Sequence, residues 1–451
     1  MTHETRDNKY PSAPLQDTSG LTNRELKQTQ ERKNQVEMAA GKSKHWVLLA
    51  AGSTGWVDYR DQANVCHAYQ VMHQNGIPDE QIVVMMYDDI ANNKQNPDKG
   101  KIINVPNGPN VYTGVPKDYT GADVSAKNFL AALRGDSTAV KKKVIQSGKN
   151  DTVFIYLSDH GGHGVFHFPN STLYAHDLIK TVTAMSKAGK FSQMVIYIEA
   201  CRSGSMVDQL KDSNVYAVSS CRPDELSYGC YMDKRLKTCL SDIFCAYWLQ
   251  HTETVKLTTT SFGDQFVYLN KNVSEAARLA QVSQTPCNYG DMNISKIMLS
   301  EVLCKSPTPV TRARPVPPTD FTVTDLIDTI EIPLQIKKIM ITNEKDPEKK
   351  KILERQYDDL VRKRKTMDEA LQKIAEQLKA PQTLREKREV THTYELKVVA
   401  EHFKNNLFSW EKEPHVVTHL HLQVLVNLCE SGLKVESINK AITRVSKEIS
   451  F

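Results

Sequence analysis

Long apolar runs are missing from this 451-residue chain. No stretch approaches the roughly 20 consecutive apolar residues that a membrane-spanning helix requires, which excludes a membrane-anchored protein from the expectations. Charge of one sign is missing as well. With 58 Lys and Arg against 53 Asp and Glu, the net charge of +5 gives no reason to expect a nucleic-acid partner. The nine cysteines, an odd number, lack the paired spacings of a disulfide scaffold or a structural zinc site. Cys221, Cys230, Cys239 and Cys245 crowd one region without a Cys-x-x-Cys interval. Residues 1–44 hold no apolar segment that could serve as a signal peptide. Four triplets beginning at Asn150, Asn170, Asn272 and Asn293 nevertheless fit the glycosylation pattern of secretory proteins. Either the gene starts elsewhere, or this form stays outside the secretory route.

What the sequence does contain is concentrated between Thr152 and Ser205. Two apolar runs, Val153-Phe154-Ile155-Tyr156-Leu157 and Met194-Val195-Ile196-Tyr197-Ile198, read as buried strands. The first breaks into Ser158-Asp159-His160-Gly161-Gly162, and the second into Glu199-Ala200-Cys201-Arg202-Ser203-Gly204. Between them, Leu178, Val182 and Met185 recur at helical spacing within 174–190. Strand, helix, strand with a right-handed crossover makes the strands parallel, so His160 and Cys201 leave the sheet at the same edge. A lone cysteine or histidine is usually a packing or surface residue. Together, a thiol beside an imidazole is a nucleophile with its base, and the peptide N–H groups of Gly161 and Cys201 are placed to face an oxyanion.

The length predicts two domains with linkers. Residues 1–43 are polar and aperiodic, a disordered N-terminal extension by expectation. A catalytic domain is assigned to 44–305, with a first strand over 45–51, a helix over 61–74, a strand over 82–86, and a loop over 92–119 long enough to serve the site. Helices are expected over 124–133, 137–146, 240–249 and 273–280, and a strand over 215–219. A linker, extended and rich in proline and threonine at its start, is assigned to 306–343, and a helical domain to 344–451. Within the latter a solvated helix pair is expected over 345–389. Two histidine groups, His160, His163 and His167, and His415, His419 and His421, are expected to hold no metal. The second, with His415 and His419 four apart, reads as pH-sensitive surface groups.

The residues around both strand ends resemble the legumain (asparaginyl endopeptidase) family of caspase-like cysteine peptidases. The resemblance rests on His160-Gly161 and Glu199-Ala200-Cys201, and on Leu48-Leu49-Ala50-Ala51-Gly52-Ser53, Asn75-Gly76-Ile77-Pro78-Asp79 and Gly114-Val115-Pro116-Lys117-Asp118-Tyr119. It runs from about His45 to the end, strongest over the catalytic part. It implies an α/β fold with a caspase-like, mostly parallel sheet flanked by helices, followed by an all-helical pro-domain that caps the site until acid removes it. Hydrolysis after asparagine needs both a donor and an acceptor for the carboxamide. Arg60, Glu199, Asp242 and Ser227 match the pocket positions of the family, and Asn343 lies where its processing asparagine lies. No cofactor is implied. The implied partners are protein and peptide substrates, the chain's own pro-domain as intramolecular inhibitor, and cystatin-type inhibitors, in a lysosomal, endosomal or secreted setting.

The chain departs from the family pattern at three places near the chemistry. Asp58 stands where asparagine is usual, Asp61 where histidine is usual, and Arg202 where glutamate is usual. Asp58 remains able to accept a hydrogen bond from imidazole, and a charged partner should raise the histidine pKa. Arg202 adds positive charge that favours a thiolate. Cys429 is the only cysteine in the tail, which must therefore hold by packing. The alternatives carried alongside are an inactive scaffold, with Asp58 and Asp61 as the lesions, and a peptide ligase.

Overall fold

The computed structural model describes residues 43–211, 214–303 and 326–451. The polar N-terminal extension and the proline- and threonine-rich start of the linker lie outside the described residues.

The apolar runs form the centre of a six-stranded sheet. Strands β1 (His45–Ala51), β2 (Ile82–Met85), β3 (Thr152–Ser158), β7 (Gln193–Glu199) and β8 (Val215–Ser219) are parallel, in the order β8-β7-β3-β1-β2. An antiparallel β11 (Cys287–Gly290) closes the β8 edge. Alternate side chains go to opposite faces, and both faces are covered. Val47, Leu49, Phe154, Tyr156, Val195 and Tyr197 pack under helices α1 (Tyr59–Gln74), α4 (Ile243–Thr254) and α5 (Phe262–Leu279). Leu48, Ala50, Ile155, Leu157, Ile196 and Ile198 pack under α2 (Ala126–Arg134) and α3 (Ala175–Lys187). Burial on both faces explains why these strands read as continuous apolar runs.

Two small sheets stand beside this one. Residues 161–174 form an antiparallel meander, β4 (Gly161–Gly162), β5 (Val165–Phe168) and β6 (Ser171–Tyr174). The hairpin β9 (Tyr228–Asp233) and β10 (Thr238–Asp242) carries a short third strand, β12 (Ile327–Asp328), from the linker region.

Several boundaries differ from the sequence expectation. The helix expected over 240–249 begins at Ile243, because Thr238–Asp242 is held as a strand by pairing with β9. The one expected over 137–146 ends at Val140, where Lys141 turns left-handed at φ 51°. Helix α5 starts well before 273, at Phe262, fixed by a capping box between Ser261 and Asp264. The linker is not extended throughout: Ile332–Asn343 is a helix, α6, with proline in its first turn. In place of a helix pair, α7 (Pro347–Gln377) runs unbroken for 31 residues.

Helices α8 (Thr393–Asn406), α9 (His419–Glu430) and α10 (Val435–Val445) complete the C-terminal part. Its core, with Met367, Ile374, Phe403, Leu425 and Ile442, is continuous with Val165 and Tyr174 of the meander. The C-terminal helices thus pack against the meander of the catalytic part.

Candidate active site

The register of the sheet places the two reactive residues. Ser158 lies opposite Glu199 across β3 and β7, so His160 and Cys201 each emerge two residues beyond the same paired position. Asp58 follows β1, the other neighbour of β3. Gly161 packs directly against the backbone of the second strand end. A Cβ there would meet the Cys201 carbonyl oxygen at 2.6 Å and the Ala200 Cβ at 2.9 Å, which explains why glycine must follow the histidine. Asp58, His160, Gly161 and Cys201 all line one cavity of about 230 Å³.

The histidine is held by a carboxylate. His160 Nε2 lies 2.9 Å from Asp58 Oδ1. Burial disfavours the imidazolium, but the Asp58 charge and hydrogen bond outweigh it and lift the His160 pKa to about 9. Asp58 is correspondingly held far below the usual carboxylate range: burial pushes it up, and His160, His415 and Arg60 together pull it down. Cys201 is 2% exposed. Its Sγ lies 3.4 Å from the Ser227 N–H and 3.1 Å from Thr329 Oγ1. Burial, with a smaller contribution from Asp328, pushes the thiol up to about 11. Both groups thus hold their protons more tightly here than they would when exposed. Arg202 pulls the thiol pKa down, as its charge should, but by less than burial raises it.

The four expected pocket residues come together beside this pair. Arg60 is 1% exposed and touches three carboxylates: Asp242 at 3.0 Å, Asp58 at 3.2 Å and Asp61 at 3.5 Å. Asn64 donates to the other Asp242 oxygen at 2.8 Å. Glu199 accepts from the Ser227 hydroxyl and from the Cys245 N–H at 2.9 Å. Burial and the nearby Asp242 hold its carboxyl well above the usual range.

The chain's own C-terminal third lies over the cleft. Strand β12 pairs antiparallel with β9 at Tyr228 and Gly229, immediately after Ser227. Thr329 then reaches the thiol, Ile330 lines the cavity, and fully buried Ile332 packs against Gly229 beside Arg60. Trp410, His415 and Leu422 roof the cavity. Trp410 Nε1 donates to Thr172 Oγ1 at 2.9 Å, Tyr174 donates to Glu401 at 2.8 Å, and Lys397 pairs with Asp177 at 2.8 Å.

The second histidine group is not a surface feature. His419 and His421 are buried, and His415 is half-buried with Nε2 3.5 Å from Asp58 Oδ2. His415 precedes α9, so it shares no helix face with His419. Burial first, then neighbouring positive groups, bring His163 and His419 down to about 3. Asn343 is exposed at the end of α6, its side-chain amide donating to the Ile339 carbonyl. Thr329 and His415 were missed as site residues. Neither carries a local signal, since each reaches the site only through the packing of a remote segment.

A thiol and an imidazole at neighbouring C-terminal strand ends of a mostly parallel sheet define a cysteine peptidase. The Peptidase C13 family matches residues 45–306, and the chain belongs to that family. It is 40% identical to legumain of Homo sapiens, covering 89% of this chain and 93% of that one. It is 35% identical to the hemoglobinase of Schistosoma japonicum (89% and 92% covered) and 34% identical to the vacuolar-processing enzyme of Phaseolus vulgaris (88% and 84%). Caspase-1 from Spodoptera frugiperda is a structural neighbour at TM-score 0.35 and 11% identity, over 60% of this chain and 93% of that one. The protein is thus a cysteine endopeptidase, acting on proteins and peptides. Among the described residues, no helix is long and apolar enough to cross a membrane.

Proposed function

We propose that this chain is the latent precursor of an endopeptidase that cuts after asparagine, and after aspartate at lower pH, and that acid releases it. The observation that carries this reading is the chain's own segment in the cleft: β12 extends the β9 edge, and Thr329 Oγ1 sits 3.1 Å from the thiol. Strand addition at a sheet edge is how extended peptides are held, and a segment of the same chain in that place keeps substrate out.

In the released enzyme His160 takes the Cys201 proton, and the thiolate attacks the scissile carbonyl carbon. The Gly161 and Cys201 amides receive the oxyanion, His160 returns the proton to the leaving amine, and water hydrolyses the thioester. Asp58 orients the imidazole. Arg60 donates to the carboxamide oxygen of asparagine, while Glu199 and Asp242 accept from its NH₂, with Ser227 as a wall. A protonated aspartate offers the same oxygen and one donor, which is why aspartate becomes a substrate as pH falls. The scaffold alternative has little support, since thiol, imidazole and carboxylate are all in place.

Exposed Asn343 is the proposed processing point. Exposed Asn150, Asn170 and Asn293 fit a glycosylated protein of an acidic compartment such as the lysosome, or a secreted one. Cystatin-type proteins are proposed as inhibitors of the released form, on family resemblance. The test is turnover of Ala-Ala-X fluorogenic peptides by acid-treated protein: X as asparagine should far exceed alanine, with aspartate rising as pH falls. Equal turnover of asparagine and alanine peptides would contradict the pocket.

A further inference from the structure

We propose that the full-length chain holds a divalent metal ion of the zinc type between Asp58, His160 and His415, joining the catalytic centre to the C-terminal helical part. One ligand atom from each of the three lies within 4.8 Å of the others. His160 Nε2 is 2.9 Å from Asp58 Oδ1, and His415 Nε2 is 3.5 Å from Asp58 Oδ2. Bonds of about 2.0–2.2 Å around a tetrahedral zinc place its ligands roughly 3.4 Å apart. The two measured pairs, 2.9 Å to one carboxylate oxygen and 3.5 Å to the other, straddle the separation an ion would impose. Two imidazoles and a carboxylate, with a fourth position left for water, are a known zinc donor set.

Three further features suit an ion better than a simple hydrogen bond. His415 sits at φ 73°, an uncommon left-handed conformation that aims its ring at the Asp58 carboxylate. Its loop is fixed from behind, because Arg364 donates to the His415 carbonyl at 2.9 Å and to the Ile330 carbonyl at 2.8 Å. The neighbouring Arg60 does not leave the site positive: Asp58, Asp61 and Asp242 all face that one guanidinium. Sequence alone grouped His415 with His419 and His421, whereas its partners here come from the loops after two remote strands.

A ligand set split between the catalytic centre and the helical part binds the ion only while the two are docked, so binding must strengthen docking. An ion on His160 Nε2 would also hold the base away from the thiol. That consequence rests on the latency reading; the site itself rests on the geometry.

The test uses the full-length Cys201→Ala chain, which cannot process itself and offers no thiolate at the site. Titration calorimetry with Zn²⁺ should find one site with a Kd of about 1 µM or tighter. Zn²⁺ should raise the thermal midpoint, and Co²⁺ should give the visible absorption of a low-coordinate centre. Adding His415→Ala, or the more conservative His415→Gln, should weaken binding at least about tenfold and abolish the thermal shift. His392→Ala, at an exposed histidine paired with Glu430, should change neither. Unaltered Zn²⁺ affinity in a folded His415→Gln chain, or no saturable binding at all, would overturn the proposal. Peptidase activity of the unmodified chain at neutral pH bears on latency alone and leaves these readouts untouched.

Discussion

Arg60 shows how far one side chain can serve two purposes. Its guanidinium faces the proposed asparagine pocket through Asp242 and also touches Asp58, the residue that holds the base. Arg60→Ala should therefore do more than relax specificity. It leaves three buried carboxylates without their cation, a loss of about 3–5 kcal/mol, so the thermal midpoint should fall. Turnover of asparagine peptides should drop by roughly 10⁴-fold, with kcat and KM both affected. A variant with unchanged stability would show that the guanidinium is not the partner of these acids. Replacing Cys201 by Ala should abolish cleavage and leave the chain at full length in acid, as intact mass would report. Residual turnover in that variant would rule out the thiol mechanism.

At the scale of elements, the proposed acid release is assigned to histidines buried where α9 meets the meander. His163 and His419 are held near 3 by burial and by Arg202, with Lys387 and His421 adding to the effect on His419. Exposed imidazoles titrate near 6.5. The separated form therefore binds more protons than the docked form between about 3 and 6.5. Docking is fully supported above that range and is lost as pH falls through it. Each histidine contributes up to about 1.4 kcal/mol per pH unit below 6.5. This differs from a cap of Lys and Arg held over acids: among the described residues, no Lys or Arg of 344–451 pairs with Glu199 or Asp242. His419→Phe in the Cys201→Ala chain should lower the pH at which half the C-terminal part is released, as followed by limited proteolysis. Trp410→Ala removes a buried ring that packs on Phe403 and donates to Thr172. It should weaken docking by about 3–5 kcal/mol and move release toward neutral pH.

The same elements show what the sequence could and could not reveal. Strands β1, β3 and β7 were legible because burial on both faces demands unbroken apolar runs, and with them came His160, Cys201 and their shared edge. Strands β9, β10 and β12 were not, because such short segments owe their form to their pairing partners. The Arg60, Glu199, Ser227 and Asp242 set was reached through resemblance, and the structure brings all four together. Asp58 against His160 was likewise reached through resemblance, the chemistry of carboxylate and imidazole saying only that the substitution could keep the bond. His415 against Asp58 was not, since nothing local in a histidine reports a contact with a residue near the other end of the chain.

For the whole molecule, the core of the helical part reaches the catalytic part through Val165 and Tyr174 of the meander. Asn343 ends a 12-residue helix roughly 18 Å long, while the chain's own cleft is already filled by Ile327, Asp328 and Thr329. A bond must be extended to enter that cleft, so the cut at Asn343 should come from another molecule whose cleft acid has already freed. The rate of conversion should then rise with protein concentration, and a first-order, concentration-independent rate would contradict this. The central claim is latency enforced by the chain itself and lifted by acid. Its most direct test is an intact-mass measurement paired with peptidase activity, on full-length protein before and after acid treatment. The expected result is an inactive, uncut chain at pH 7, and after acid an active fragment ending at Asn343 or an asparagine close by. Full activity at pH 7 with the C-terminal part attached and uncut would contradict the account.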